Sequence, residues 1–187
     1  TGGVDVIAQY PFPASSGTDS GSNTSGNSTV GTATGVSTIA AAQAFTASTS
    51  TGGATTAAFT MGASKDSGTS TATRFKPGDS IQVAGAIKPQ VADIGKSADL
   101  FVVIRALLGG RESCLYRDGT GGFRPWSRAI QDLKPAMETS SLQSGATVEV
   151  YKGQVGTGTF QVFLGYKLDS SNTLHFTPVP LQLNVTN

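Results

Sequence analysis

The sequence predicts an all-β protein: an antiparallel, immunoglobulin-like β-sandwich with an N-terminal strand extension. Three observations predict it. From residue 80 to the C-terminus, apolar residues recur with a period of two or form short continuous runs. Clusters of turn-forming residues punctuate these runs at short intervals, with no βαβ alternation. Helix-like spacing is confined to Ser127–Met137, where Ile130, Leu133 and Met137 suggest a short helical turn that Pro135 limits.

Taken in order, residues 1–13 read as a strand. Val4, Val6, Ala8 and Tyr10 share one side, Phe12 follows, and Pro11 and Pro13 stop the run. Residues 14–29 hold no apolar side chain larger than alanine and read as a Ser/Gly/Thr-rich tether. The sandwich domain then spans 30–187. Its first part is rich in alanine and threonine, and Ser37–Ser48 is read as small-residue strands in preference to a helix. Such thin side chains need another sheet or another molecule to cover them. Clearer strands follow: Ser80–Ile87 with Ile81, Val83 and Ile87 on one face; the apolar run Leu100–Leu108; Thr147–Tyr151 with Val148 and Val150 inward; Phe160, Val162, Leu164 and Tyr166; and Leu181, Leu183 and Val185.

Composition excludes several functions. The 187 residues carry a formal net charge of +1, which gives no electrostatic reason to bind nucleic acid or an anionic membrane. No apolar run is long enough to span a membrane as a helix. The single cysteine, Cys114, has no intrachain partner and reads as a small buried side chain. Charged residues make up only 13%, and residues 1–64 hold just two of them, Asp5 and Asp19. With Gly, Ser, Thr and Ala abundant and the chain starting at Thr1, these features suggest a secreted, extracellular or cell-surface protein from which a signal has been removed.

The stretch YRDGTGGFRPW, residues 116–126, has the grammar of a β-hairpin tip, because Asp118–Gly122 tolerates positive φ. Two roles are open to it. Trp126 caps the end of the core, or Tyr116, Phe123 and Trp126 form an aromatic platform for sugar rings, with Arg117, Arg124 and Asp118 bonding the hydroxyls. No catalytic residue is predicted. His175, the only histidine, has no assignable acid–base partner in the sequence, and no metal or cofactor signature is present. The loops at Asp118 and Asp169 offer oxygen ligands but lack EF-hand spacing.

A distributed pattern also stands out: Gly85-Ala86-Ile87, then Ile94-Gly95-Lys96-Ser97-Ala98-Asp99 before a buried strand, then Trp126 after a hairpin, then Tyr151-Lys152-Gly153 and Gly158-Thr159 through Gly165-Tyr166. Over about residues 80–185 it resembles a recurrent, uncharacterised β-sandwich domain of secreted proteobacterial proteins. The resemblance implies a fold and a location, and no reaction.

The functional expectation is therefore structural: a non-enzymatic subunit of an extracellular fibre or surface assembly. Val4, Val6, Ala8, Tyr10 and Phe12 would add as a strand to a neighbouring copy, head to tail, with pairing inside their own domain the other course open to them. The alternative is a secreted carbohydrate-binding or adhesion module that uses the Tyr116–Trp126 hairpin.

Overall fold

The computed structural model describes residues 42–66 and 71–187, and among them thirteen strands pair into two sheets with no α-helix. The predicted N-terminal strand and tether, residues 1–13 and 14–29, lie outside the described residues. The chain enters as β1 (Gln43–Thr46), crosses from one sheet to the other at Ala47 and continues as β2 (Ser48–Thr49). The described part of the alanine-rich stretch is thus extended, as the threonine content favours. Next come β3 (Ala58–Lys65), β4 (Arg74–Phe75) and β5 (Ser80–Lys88). A meander of β6 (Ala98–Leu108), β7 (Arg111–Arg117) and β8 (Phe123–Pro125) follows. Then β9 (Met137–Thr139) returns to the start of β6, and β10 (Ala146–Gln154), β11 (Gly158–Leu168), β12 (Leu174–Phe176) and β13 (Leu181–Val185) complete the body.

The smaller sheet has the order β1-β3-β5-β10 and is antiparallel throughout. The larger follows β2-β12-β11-β6-β7-β8, with β13 pairing the other half of β11 and β9 pairing β6. Its pairs are antiparallel except β4 with β13, where Asn184 meets Arg74 and Val185 meets Phe75 in parallel register.

The two sheets share one core, and the period of two puts the expected residues in it. Ile81, Val83 and Ile87 of β5, Val148 and Val150 of β10, Phe160, Val162, Leu164 and Tyr166 of β11, and Leu181, Leu183 and Val185 of β13 are all buried together. A register shift between Glu149 and Tyr151 lets Val150 and Tyr151 both reach the core side of β10. Bulk missing from the alanine-rich strands comes from Phe45, Phe59 and Met61. The sheets approach closely at Gly85, where a Cβ would strike the Leu164 side chain and lie 2.8 Å from the Thr60 carbonyl oxygen. Only glycine fits that contact. On the opposite face of the same strands Gly62, Ser64, Gln82 and Ala84 are also buried.

The short helical turn expected before Pro135 is present as one brief turn. Ser127–Met137 holds a single 3-10 turn, Ile130–Asp132, and no longer helical segment. Leu133 is already extended at φ −74 and ψ 123, Pro135 disfavours helical geometry at Lys134, and Met137 opens β9 as an exposed residue paired with Leu100.

Candidate functional site

The β7–β8 hairpin is held by one carboxylate. Asp118 Oδ1 accepts hydrogen bonds from the Thr120 amide at 3.0 Å, the Thr120 hydroxyl at 2.6 Å and the Gly122 amide at 3.0 Å, while Oδ2 accepts from Arg124 Nε at 2.9 Å. Partial burial pushes the Asp118 carboxyl upward, but these donors outweigh it and hold its pKa at about 2. The Asp118 carboxylate is therefore satisfied within the hairpin.

Cross-strand partners share a sheet face, so the register decides which side chains meet. Tyr116 opposes Arg124, and Arg117 opposes Phe123. Tyr116 and Arg124 lie on the outer face, away from the shared core, whereas Phe123 packs against the core with its ring 6.4 Å from that of Tyr151. Trp126 joins Tyr116 on the outer side and packs with Phe101, Leu133 and Leu174. Its indole N–H donates to the Ala129 carbonyl at 2.9 Å. Of the residues predicted as a platform, Tyr116, Arg124 and Trp126 are thus brought to one face, while Phe123 and Arg117 are on the other.

Beside Trp126 lies a groove of about 480 Å³. Its floor is the outer face of the larger sheet, with Phe101 and Val103 of β6, Phe163 of β11, and Leu174 and Phe176 of β12. A strap of residues 126–136 overlies it through Trp126, Ile130 and Leu133. The strap is tied at its ends by the Trp126 amide on the Cys114 carbonyl and the Ala136 amide on the Leu100 carbonyl, both at 2.8 Å. Half-buried Cys114 lines the groove instead of entering the core. At one end Glu112 accepts hydrogen bonds from Arg105 through one oxygen and from Arg128 through the other. The Arg105 hydrogen bond, assisted by both guanidinium charges, holds the Glu112 carboxyl below the usual range. Arg128 does this from a left-handed backbone, φ 73, uncommon for a residue with a Cβ.

A second polar cluster is buried. Tyr166 donates its hydroxyl hydrogen to Asp93 Oδ2 at 2.9 Å, and His175 Nε2 stands 3.9 Å from the same oxygen. The His175 ring stacks on Tyr166 at 4.6 Å, and its Nδ1 is 2.9 Å from the Thr55 hydroxyl. Burial pushes the His175 pKa down, opposed by the Asp93 charge, and burial pushes Tyr166 up. Asp93 is the acidic partner that the sequence did not assign to His175. It comes from the 3-10 turn Val91–Asp93, far away in the chain, and no local motif signals the meeting. Neither the groove nor the small core cavity at Ile81, Val83 and Tyr151 is lined by His175.

Among the described residues no group of three His, Cys, Asp or Glu side chains is placed to hold a metal ion, and no helix is long and apolar enough to cross a membrane. Asp118 is engaged by its own loop, and Asp169 accepts a hydrogen bond from Ser97 Oγ. The outer apolar residues Phe101, Phe163 and Phe176 and the strap over them went unrecognised in the sequence. The available signal was that Leu100–Leu108 is apolar at odd as well as even positions, which requires cover on both faces. In comparisons with known proteins, no family model matches the chain, and no curated protein and no solved structure matches it significantly.

Proposed function

We propose that this chain is a non-enzymatic structural protein, secreted to the extracellular space or cell surface, whose copies join into a fibre or surface layer by β-strand addition. The observation that carries this reading is the edge of the smaller sheet. Among the described strands that sheet ends on β10, nine residues long, with Val148 and Val150 buried on its core side. The opposite edge, β1, is four residues long and runs directly into the other sheet as β2. A long edge is a template for a further strand, since its outward N–H and C=O groups give affinity and alternate side chains set the register. The segment Val4–Phe12 has the complementary pattern, with Val4, Val6, Ala8 and Tyr10 to one side, and residues 14–29 give it reach.

The two-sheet body is read here as an immunoglobulin-like sandwich, on the strength of its shared core and mostly antiparallel pairing. The resemblance of residues 80–185 to a domain of secreted proteins and the low charge of the first third support the location. Partners are other copies of the chain, in head-to-tail contacts that propagate without closing. A carbohydrate-binding or adhesion role is the second reading; it would draw on Tyr116, Arg124 and Trp126 without help from Phe123 or Arg117.

Light scattering across a dilution series tests the assembly. The full chain gives species larger than one copy that grow with concentration, and removal of residues 1–13 leaves a single copy. Monomers at every concentration, unchanged by the deletion, refute it.

A further inference from the structure

We propose that the groove on the outer face of the larger sheet binds an amphipathic monocarboxylate, with an acyl chain laid between Trp126 and the phenylalanines of the floor and its carboxylate held by Arg105 and Arg128. This site is separate from the β10 edge and goes beyond the strand-addition reading.

Three features of the groove select that ligand chemistry. The first is its polarity along the strand direction: on β6 the floor runs from Phe101 through Val103 to Arg105, so apolar surface leads to one charged end. Its volume of about 480 Å³ lies in the range of small-molecule sites. The second is charge. Two guanidiniums converge there on one carboxylate, Glu112, which leaves one positive charge in excess. Arg105 and Arg128 remain 51% and 63% exposed, open to a further anion. Guanidinium forks suit a carboxylate geometrically and, with few polar groups elsewhere in the lining, fix which end of a ligand sits where. The third is strain. Arg128 keeps its charge at the mouth of the groove from a left-handed backbone that a glycine would adopt freely. A purely structural strap would gain stability by giving that position up.

The full chain supplies its own reporter, because Trp126 is the only tryptophan and lines the groove. Dodecanoate, titrated below the concentration at which it forms micelles, is expected to shift Trp126 emission saturably. Dodecanol, equal in chain and lacking the charge, is expected to bind roughly tenfold more weakly, the loss of a charge-assisted hydrogen bond. Arg128→Gly separates binding from folding. Relief of the backbone leaves the melting temperature equal or higher, while dodecanoate affinity falls by roughly tenfold. Glu112→Gln removes the competing carboxylate and is expected to tighten binding. No saturable signal, dodecanol binding as well as dodecanoate, or unchanged affinity in Arg128→Gly would each overturn the proposal.

Discussion

Tyr116 and Phe123 leave the same hairpin one cross-strand pair apart and point in opposite directions. Tyr116, opposite Arg124, packs toward Trp126 on the outer face, and Phe123, opposite Arg117, turns to the Tyr151 ring 6.4 Å away. Phe123 thereby helps seal the core where β8 and β10 come near each other. Phe123→Ala is expected to cost about 1–3 kcal/mol, less than for a fully buried phenylalanine, and to leave Trp126 emission unchanged. Tyr116→Ala should do the reverse, shifting emission at smaller cost. Urea unfolding followed by fluorescence checks both; an emission shift from Phe123→Ala would contradict the assigned faces.

Asp118 fixes the hairpin loop through four donors, and its depressed pKa carries a sign. A carboxyl held at about 2 in the folded state, against 3.8 as its ordinary value, stabilises the fold above 3.8 and loses that contribution as pH falls toward 2. Asp118→Ala is expected to destabilise by about 1–3 kcal/mol at neutral pH, with the gap from the parent chain closing between pH 4 and pH 2. A gap that persists in acid would contradict the assignment.

His175 titrates in the opposite chemical sense with the same consequence for pH. Burial lowers its pKa below 6.5, so above 6.5 it is neutral in both folded and unfolded states; below it the unfolded chain binds the proton first. Stability is therefore expected to decline as pH falls from 6.5 toward 5, and His175→Gln should flatten that decline. Urea midpoints taken across pH 5–8 measure it, and an unaltered slope in the variant would exclude His175 as the source.

Gly85 offers a packing test with an internal control. Gly85→Ala drives a methyl into Leu164 and the Thr60 carbonyl and is expected to cost about 1–3 kcal/mol or more through overpacking. At Gly78, φ +85, an added Cβ meets nothing within 4 Å, so Gly78→Ala costs only backbone strain of about 1–2 kcal/mol. Melting temperatures of the pair should rank Gly85→Ala below Gly78→Ala.

What was legible in the sequence follows from which forces are local. Alternation within β5, β11 and β13 named the core residues, because a strand's two faces are set by its own period. The hairpin at Asp118–Gly122 was legible from turn chemistry. Its aromatic faces were not, since they depend on the register that Tyr116↔Arg124 adopts across the loop. Spacing at Ile130 and Leu133 marks the short helical turn that forms at Ile130–Asp132, but it carries no sign that the segment is a strap whose Leu133 is buried by a sheet face assembled from distant strands. The Asp93–Tyr166–His175 cluster joins residues from three separate elements, beyond the reach of any local signal.

The central claim is that β10 accepts a strand, and amide hydrogen exchange along Ala146–Gln154 tests it most directly. In a chain lacking residues 1–13, addition of a peptide spanning residues 1–13 is predicted to slow exchange on alternate β10 amides while the β1 amides stay unchanged. Equal exchange with and without the peptide, or protection gained elsewhere and not on β10, would contradict the account.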